Sequence, residues 1–341
     1  MRARWLTRLG RTVGAAAVTA AVLATAACGG GSDKDTDNNG GKSPGEDKNA
    51  TGSAFPRTVD HAMGKTEIKK QPKRIVALDM TFVDAALALE SEVVGYTTFA
   101  SPDEKLPAYF GDDAKKYGGE AVPVGLLEEP KLEQIIKLKP DLILSAKVRH
   151  EKLYSQLNEI APTVFTETTG ATWKENLELV GKALGKEDLA KEKVESFEKR
   201  ARAIGDSVRK ERGGNPTVSV VRFVDGPTRL YKEDTYIGVI VNDLGFDKPK
   251  DARGEGFNAD ISEEEIRKVD ADDIFVTAYP DPEGASEKSK QKYQANPLWK
   301  KLDGEIHEMD DVTWMLAVGL YGAESVLDDV AKTYKVDAAR G

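Results

Sequence analysis

A thirteen-residue stretch of this chain occurs twice. Residues 132–144 (LEQIIKLKPDLIL) align without gaps with residues 263–275 (EEEIRKVDADDIF). An acid, an isoleucine, a lysine, an aliphatic residue, an aspartate and a second isoleucine fall at matching positions. Each copy reads as an amphipathic helix, a short turn and a strand. A helix–strand unit repeated at a fixed offset predicts two similar α/β lobes rather than one large sheet. Two unrelated amphipathic units can also converge on such a pattern, and the sequence alone leaves that alternative open. Other segments alternate in the same way: a hairpin over 57–68 around Met63-Gly64, strands over 74–78, 93–97 and 141–145, and helices over 81–89 and 132–138. Short apolar runs alternating with helical segments predict mostly parallel sheets.

Between the copies lies a long helix. Ala190, Val194, Phe197, Ala201, Ile204 and Val208 recur at spacings of four and three, which makes one apolar stripe. Gly185 ends the preceding helix and Gly213-Gly214 ends this one, so it runs from Glu187 to Arg212, about 40 Å at 1.5 Å per residue. The expected fold class is α/β, with two Rossmann-like lobes joined by a single long helix.

The N-terminus is of a different kind. Four arginines (Arg2, Arg4, Arg8, Arg11) precede an apolar stretch from Val13 to Ala27, followed by Cys28, the one cysteine in 341 residues. A basic segment, a short apolar segment and small residues before the cut make a secretory signal; a membrane span needs about 20 apolar residues. A lone cysteine at that point predicts lipidation at Cys28, although Thr25 stands where lipoprotein signals usually carry Leu. A plain secretory signal cut at Ala-x-Ala is the other reading. Loss of residues 1–27 removes four positive charges and moves the net charge from −9 to −13, which excludes non-specific binding to nucleic acid. Residues 29–53 hold almost nothing apolar and cannot offset their ordering entropy. The expected organisation is a signal (1–27), a disordered tether (28–54), an N-terminal lobe (55–170), connecting helices (171–213) and a C-terminal lobe (214–341). The chain is expected outside the cytoplasm, as a monomer anchored to the cell membrane by lipid.

Pro72-Lys73-Arg74-Ile75-Val76-Ala77-Leu78, Leu138-Lys139-Pro140-Asp141-Leu142-Ile143 and Asn296-Pro297-Leu298-Trp299 resemble the iron-siderophore substrate-binding proteins of bacterial ABC importers. The resemblance covers most of residues 55–341 and implies two α/β lobes bridged by one long helix, with a ligand held in the inter-lobe cleft. Arg149-His150-Glu151-Lys152-Leu153-Tyr154, Ile160-Ala161-Pro162-Thr163-Val164 and Val221-Arg222-Phe223 are similar to members that carry hydroxamate or mixed hydroxamate–carboxylate siderophores. The resemblance implies capture of a ferric hydroxamate-type siderophore and its delivery to an ABC permease. It implies no cofactor, and no metal held by the protein itself, because the siderophore holds the iron. It also implies that one acid on each lobe docks the permease. Glu133 and Glu264, equivalent in the repeat, take that role here, with Glu263 and Glu265 as alternatives in the second lobe; acids in a first helical turn also simply complement the helix dipole.

Ligands of α/β sheets sit beyond the carboxyl ends of the strands. That rule selects Phe82, Phe99 and Arg149 in the first lobe, and Arg222, Arg229, Tyr231, Tyr279 and Trp314 in the second. Arg222 lies among Val218, Val220, Val221 and Phe223, and a buried arginine needs a partner: a ligand's oxygens, or an acid such as Asp225. Arg149 is either a ligand contact or a solvated arginine beside Glu151. Each aromatic fits a cleft wall or the core. No nucleophile elbow, P-loop or dinucleotide fingerprint is present, so the chain reads as a carrier and not an enzyme. Three scattered histidines argue against a bare-metal carrier. A haem or cobalamin carrier of the same fold, with Tyr231 or His150 as axial ligand, and a ferric carboxylate or catecholate carrier are the alternatives.

Overall fold

The computed structural model describes residues 55–340 apart from residues 100 and 102. Cys28, the signal segment and the tether lie outside the described residues. The hairpin forms from β1 (Arg57–His61) and β2 (Gly64–Ile68), with His61 opposite Gly64.

Six strands make the first sheet: β3 (Ile75–Ala77), β4 (Val93–Thr98), β5 (Val122–Leu126), β6 (Glu129–Pro130), β7 (Leu142–Ala146) and β8 (Thr163–Thr166). Their order is β6-β5-β4-β3-β7-β8, parallel except at β6. Every residue of β3, β4, β7 and β8 is buried, as strands covered on both faces require. Helices α1 (Met80–Ala88), α2 (Gly111–Gly118), α3 (Leu132–Leu138), α4 (Lys147–His150) and α5 (Tyr154–Ile160) connect them. The predicted strands and helices of this half form within a residue or two of their expected ends.

Helix α6 (Trp173–Leu184) stops at Gly185, whose φ of 69° is the left-handed cap that glycine favours. Helix α7 then covers Glu187–Arg212, the predicted span, and all six stripe residues are buried. Gly205 on this helix has no room for a side chain, because a Cβ would run into the carbonyl of Leu244.

The second sheet contains β9 (Val218–Phe223), β10 (Thr228–Tyr231), β11 (Asn258–Ile261), β12 (Asp273–Ala278) and β13 (Glu305–Glu308) in the order β11-β10-β9-β12-β13. Strands β9, β12 and β13 are parallel; β10 runs against them, and β11, antiparallel to β10, runs with them again. Helices α8 (Tyr236–Asp243), α9 (Ala285–Ala295) and α10 (Leu320–Tyr334) complete the lobe. The repeat marks β7 and β12, each flanked in its sheet by two parallel strands. The helix of the second copy differs from expectation: residues 266–269 form one 3-10 turn and Glu264 lies in the turn before it. Strand β11 ends at Ile261, and Glu265 folds back on the Ser262 hydroxyl at 3.2 Å, which leaves no length for an α-helix.

One apolar cluster crosses between the lobes. It links Ile75 and Leu144 of the first sheet to Val218, Val220 and Phe275 of the second through α1, α6, α7, α8 and α10. A buried polar clasp lies at the same joint. Asp84 on α1 accepts the backbone N–H groups of Leu320 and Tyr321 at 2.7 and 3.1 Å, where α10 begins. A Cβ on Gly319 would collide with this carboxylate. The Tyr236 hydroxyl donates to the Gly319 carbonyl at 2.8 Å, and that of Tyr321 donates to Asp113 at 2.6 Å.

Asp84 is 2% exposed and has no cation within salt-bridge distance among the described residues. Burial outweighs the two amide hydrogen bonds and raises its pKa to about 7, from an ordinary value of 3.8. The folded chain therefore holds this proton more tightly than the unfolded chain does. The group's contribution to stability, on the order of a few kcal/mol, is full below about pH 4 and is lost as pH rises through 7. Asp79, also raised by burial, acts with the same sign. In urea titrations at pH 5 and pH 8, Asp84→Asn should show a clearly smaller loss of stability at the higher pH than the parent. Equal losses in the two proteins would refute this assignment.

Candidate ligand-binding site

In the first sheet the strand order turns at β3 and β7: the chain runs one way from β3 to β6, then crosses back to β7 and β8. Such reversals open a crevice at the carboxyl ends of the strands. Asp79, two residues beyond β3, accepts the Thr81 N–H at 3.1 Å and so caps α1. Arg149 on α4, just beyond β7, donates from Nε to Asp79 Oδ2 at 3.0 Å. Asp79 is 4% exposed, and burial raises its pKa against the lowering effect of Arg149. Arg149 keeps a third of its side chain exposed.

The second sheet turns in the same way at β9 and β12. Arg222, near the end of β9, is 9% exposed. Its partner is Asp311: Nε and Nη2 donate to the two carboxylate oxygens at 2.7 and 2.6 Å. Nη1 donates to the Tyr231 hydroxyl at 3.4 Å, and the Tyr279 ring covers the guanidinium at 5.3 Å. Burial works against the charge, but the hydrogen bonds and charge of Asp311 outweigh it and raise the pKa. Of the two readings left open for Arg222, the structure shows pairing with an acid, and that acid is Asp311 and not Asp225.

Arg229 stands directly opposite Arg222 across the β9–β10 pair. Like charges facing each other on neighbouring strands are unfavourable. Asp311 neutralises one of the two. Arg229 is half-buried and, among the described residues, has no acid within salt-bridge distance. Asp260 stands opposite Arg229 on β11 without closing a salt bridge, so the second lobe offers a guanidinium outside any ion pair beside a clamped one.

The aromatics divide. Phe99 and Tyr279 are 42% and 36% exposed at the strand ends. Tyr231 is buried but packs edge-on against Phe257, which is 57% exposed and continues the same aromatic surface. Phe82 and Trp314 are each 1% exposed and belong to the core, which corrects their selection as cleft residues. The strand-end rule locates a position but not the direction in which its side chain points. Trp314 stacks on Phe275 at 5.0 Å and donates to Asp329 at 2.8 Å.

Three residues that sequence reasoning missed are Asp79, Asp311 and Phe257. Asp79 carried a local signal, an aspartate before a helix. Asp311 lies 89 residues from Arg222 and carried none.

His150 is 3% exposed, with Nδ1 2.7 Å from the Ser145 hydroxyl and Nε2 2.6 Å from the Leu127 carbonyl. Because a carbonyl only accepts, Nε2 carries the proton and Nδ1 accepts from Ser145. Burial pushes the imidazole's pKa down and keeps it neutral. Ser145 is fully buried, so this pair is sealed from any substrate.

A family model described as periplasmic binding protein matches residues 75–304. The chain belongs to the periplasmic binding protein family. It is 40% identical over 295 residues to a Bacillus subtilis protein named as a probable siderophore-binding lipoprotein, covering 83% of this chain and 88% of that one. It is 32% identical over 305 residues to the Fe(3+)-citrate-binding protein of the same organism, covering 86% and 89%. The crystal structure of Staphylococcus aureus SirA complexed with staphyloferrin B superposes with a TM-score of 0.73 at 33% identity, over 83% of this chain and 99% of that one. Periplasmic binding proteins of this kind capture substrates and do not transform them, so the chain is a substrate-binding protein and not an enzyme.

Proposed function

We propose that the chain captures an anionic ferric siderophore that combines hydroxamate with carboxylate donors, and delivers it to an ABC importer for iron uptake. The observation that carries this reading is the arginine set at the two switch points: Arg149 and Arg222, each clamped by a buried aspartate, with Arg229 beside Arg222 in no salt bridge among the described residues. A guanidinium fork fits carboxylate oxygens with paired hydrogen bonds. A neutral trihydroxamate complex has no need of an unpaired cation. The relatives named for siderophores and ferric citrate support the same class. The haem alternative loses ground, because His150 has both nitrogens engaged and the Tyr231 hydroxyl takes a hydrogen bond from Arg222.

Intrinsic fluorescence quenching tests this across mixed hydroxamate–citrate and citrate-type ferric complexes, a neutral ferric trihydroxamate, iron-free siderophores, haemin and cobalamin. The carboxylate-bearing ferric complexes should bind tightest. Arg229→Ala should weaken them by about 1.5–3 kcal/mol, the range for hydrogen bonds to charged groups, and leave the neutral complex nearly unchanged. Binding of haemin or cobalamin alone would overturn the proposal.

We further propose that Glu133 and Glu264 dock the permease. Both are exposed. In the second lobe Glu263 is tied to Lys292 at 2.5 Å and Glu265 to Lys268 at 2.5 Å, whereas Glu264 has no ion-pair partner among the described residues. That favours Glu264 over its neighbours as an outward contact. An exposed pair contributes only about 0–1 kcal/mol, so two points held apart by α7 would act chiefly on orientation. In cells, Glu133→Ala/Glu264→Ala should lower iron uptake while ligand affinity in solution stays at the parent value; undiminished uptake at native expression would remove the proposal.

Tethering through lipidated Cys28 fits the relative named as a lipoprotein. A fatty-acid probe should label the parent and miss Cys28→Ser, and equal labelling of the two would exclude the anchor.

A further inference from the structure

The far end of the second sheet carries a separate group of metal-ligand side chains. Asp273 and Glu305 are the first residues of β12 and β13 and stand opposite each other in the parallel ladder. His307 lies two residues beyond Glu305 and so projects from the same face. One ligand atom from each of the three residues falls within 4.8 Å of the other two. Asp273 is 1% exposed, and its two oxygens have different duties. Oδ2 receives Arg212 at 2.5 Å and the Tyr334 hydroxyl at 2.7 Å. Oδ1 accepts from His307 Nε2 at 2.8 Å and, among the described residues, has no other hydrogen-bond partner.

We propose that Asp273, Glu305 and His307 form a binding site for a single Zn2+ ion, held by one imidazole nitrogen and two carboxylate oxygens with a fourth position open to water. Zinc bonds of about 2.0–2.2 Å to nitrogen and oxygen place neighbouring ligand atoms roughly 3–3.5 Å apart in a tetrahedral shell. The Asp273–His307 separation is close to that already. Glu305 is exposed and free to turn the remaining ångström or so inward. Access is open on both sides of the edge strand. A depression of about 500 Å³ is lined by Asp270, Asp272, Asp303 and Glu305 with Arg212, and one of about 410 Å³ by His307, Asp310 and Asp329 with Lys332. The preponderance of carboxylates draws cations to this end, and Arg212 limits the affinity by offsetting part of that charge.

The site is independent of the siderophore reading, since β12 and β13 begin where the ligand crevice is farthest: Arg222 and Tyr279 lie at the opposite, carboxyl ends of their strands. A bound ion would tie the edge strand β13 to β12, and through Asp273 to the ends of α7 and α10.

Co2+ is the spectroscopic probe, used on the full chain carrying Cys28→Ser in non-ionic detergent so that no thiol competes. Titration should give visible d–d absorption of a four-coordinate ion, saturating at one equivalent and bleached by Zn2+. His307→Gln and Glu305→Gln, both solvent-accessible replacements, should each weaken Co2+ binding at least tenfold with an unchanged far-ultraviolet spectrum. Zn2+ should raise the melting temperature of the parent and not of His307→Gln. If His307→Gln fails to fold, Glu305→Gln decides alone. Absence of the cobalt spectrum in the parent, or binding unchanged by a folded variant, would overturn the proposal.

Discussion

The arrangement of this protein rests on what joins its lobes. Each sheet could bury its faces locally, but the largest apolar cluster does not stop at either one; it continues from the first sheet through α1, α6, α7 and α10 into the second. Asp84 sits within this continuity, a carboxylate turned toward the first amides of α10 with no cation beside it. Such a group is costly to bury and is tolerated because a helix N-terminus supplies both hydrogen-bond donors and positive potential. Opening the joint would expose apolar surface and release those bonds together. The two crevice walls are therefore held in a set relation by packing rather than by loop segments, and the 26-residue helix α7 spans the joint as a rod.

The crevice resolves an electrostatic problem. The chain is acidic overall, yet it places arginines at the switch points of both sheets. Arg149 and Arg222 are each held by an aspartate that is itself about 4% exposed. A guanidinium with one edge anchored keeps its remaining donors pre-aimed, and this lowers the ordering entropy lost when an anion binds. The two lobes reach this state by exchanged roles. In the first, the acid follows β3 and the arginine follows β7; in the second, the arginine is on β9 and the acid comes from beyond β13. The backbone symmetry is shared, and the chemistry laid on it differs.

Much of the architecture was legible because it depends on periodicity. The four–three stripe of α7, its glycine stops and the repeat that marks β7 and β12 are local patterns, and local patterns survive into structure wherever propensity and burial agree. The repeat misled at one point, since the second copy has helical spacing at Ile266 and Val269 but leaves β11 through a turn at residues 262–265 and closes as a 3-10 turn. Arg149, Arg222 and Arg229 were selected by asking what stands at strand ends, and the structure places Arg149 just beyond β7 and the other two opposite each other on β9 and β10. Phe82 and Trp314 were selected by the same question and proved to be core, because a strand end supplies both crevice and interior and only packing separates them.

Sequence by itself determined the α/β class, the two-sheet plan, the long helix and the presence of arginines at strand ends, since each follows from spacing along the chain. Tertiary structure decided which acids hold those cations, that Arg229 alone among the three arginines lacks one, and that Glu264 rather than its neighbours is left outward-facing. It also decided that Asp84 meets α10 across 236 residues, and that His307, scattered in sequence, lies against Asp273. Those outcomes depend on contacts between segments far apart in the chain, where a side chain's partner is set by how sheets and helices pack and leaves no trace in the spacing of residues.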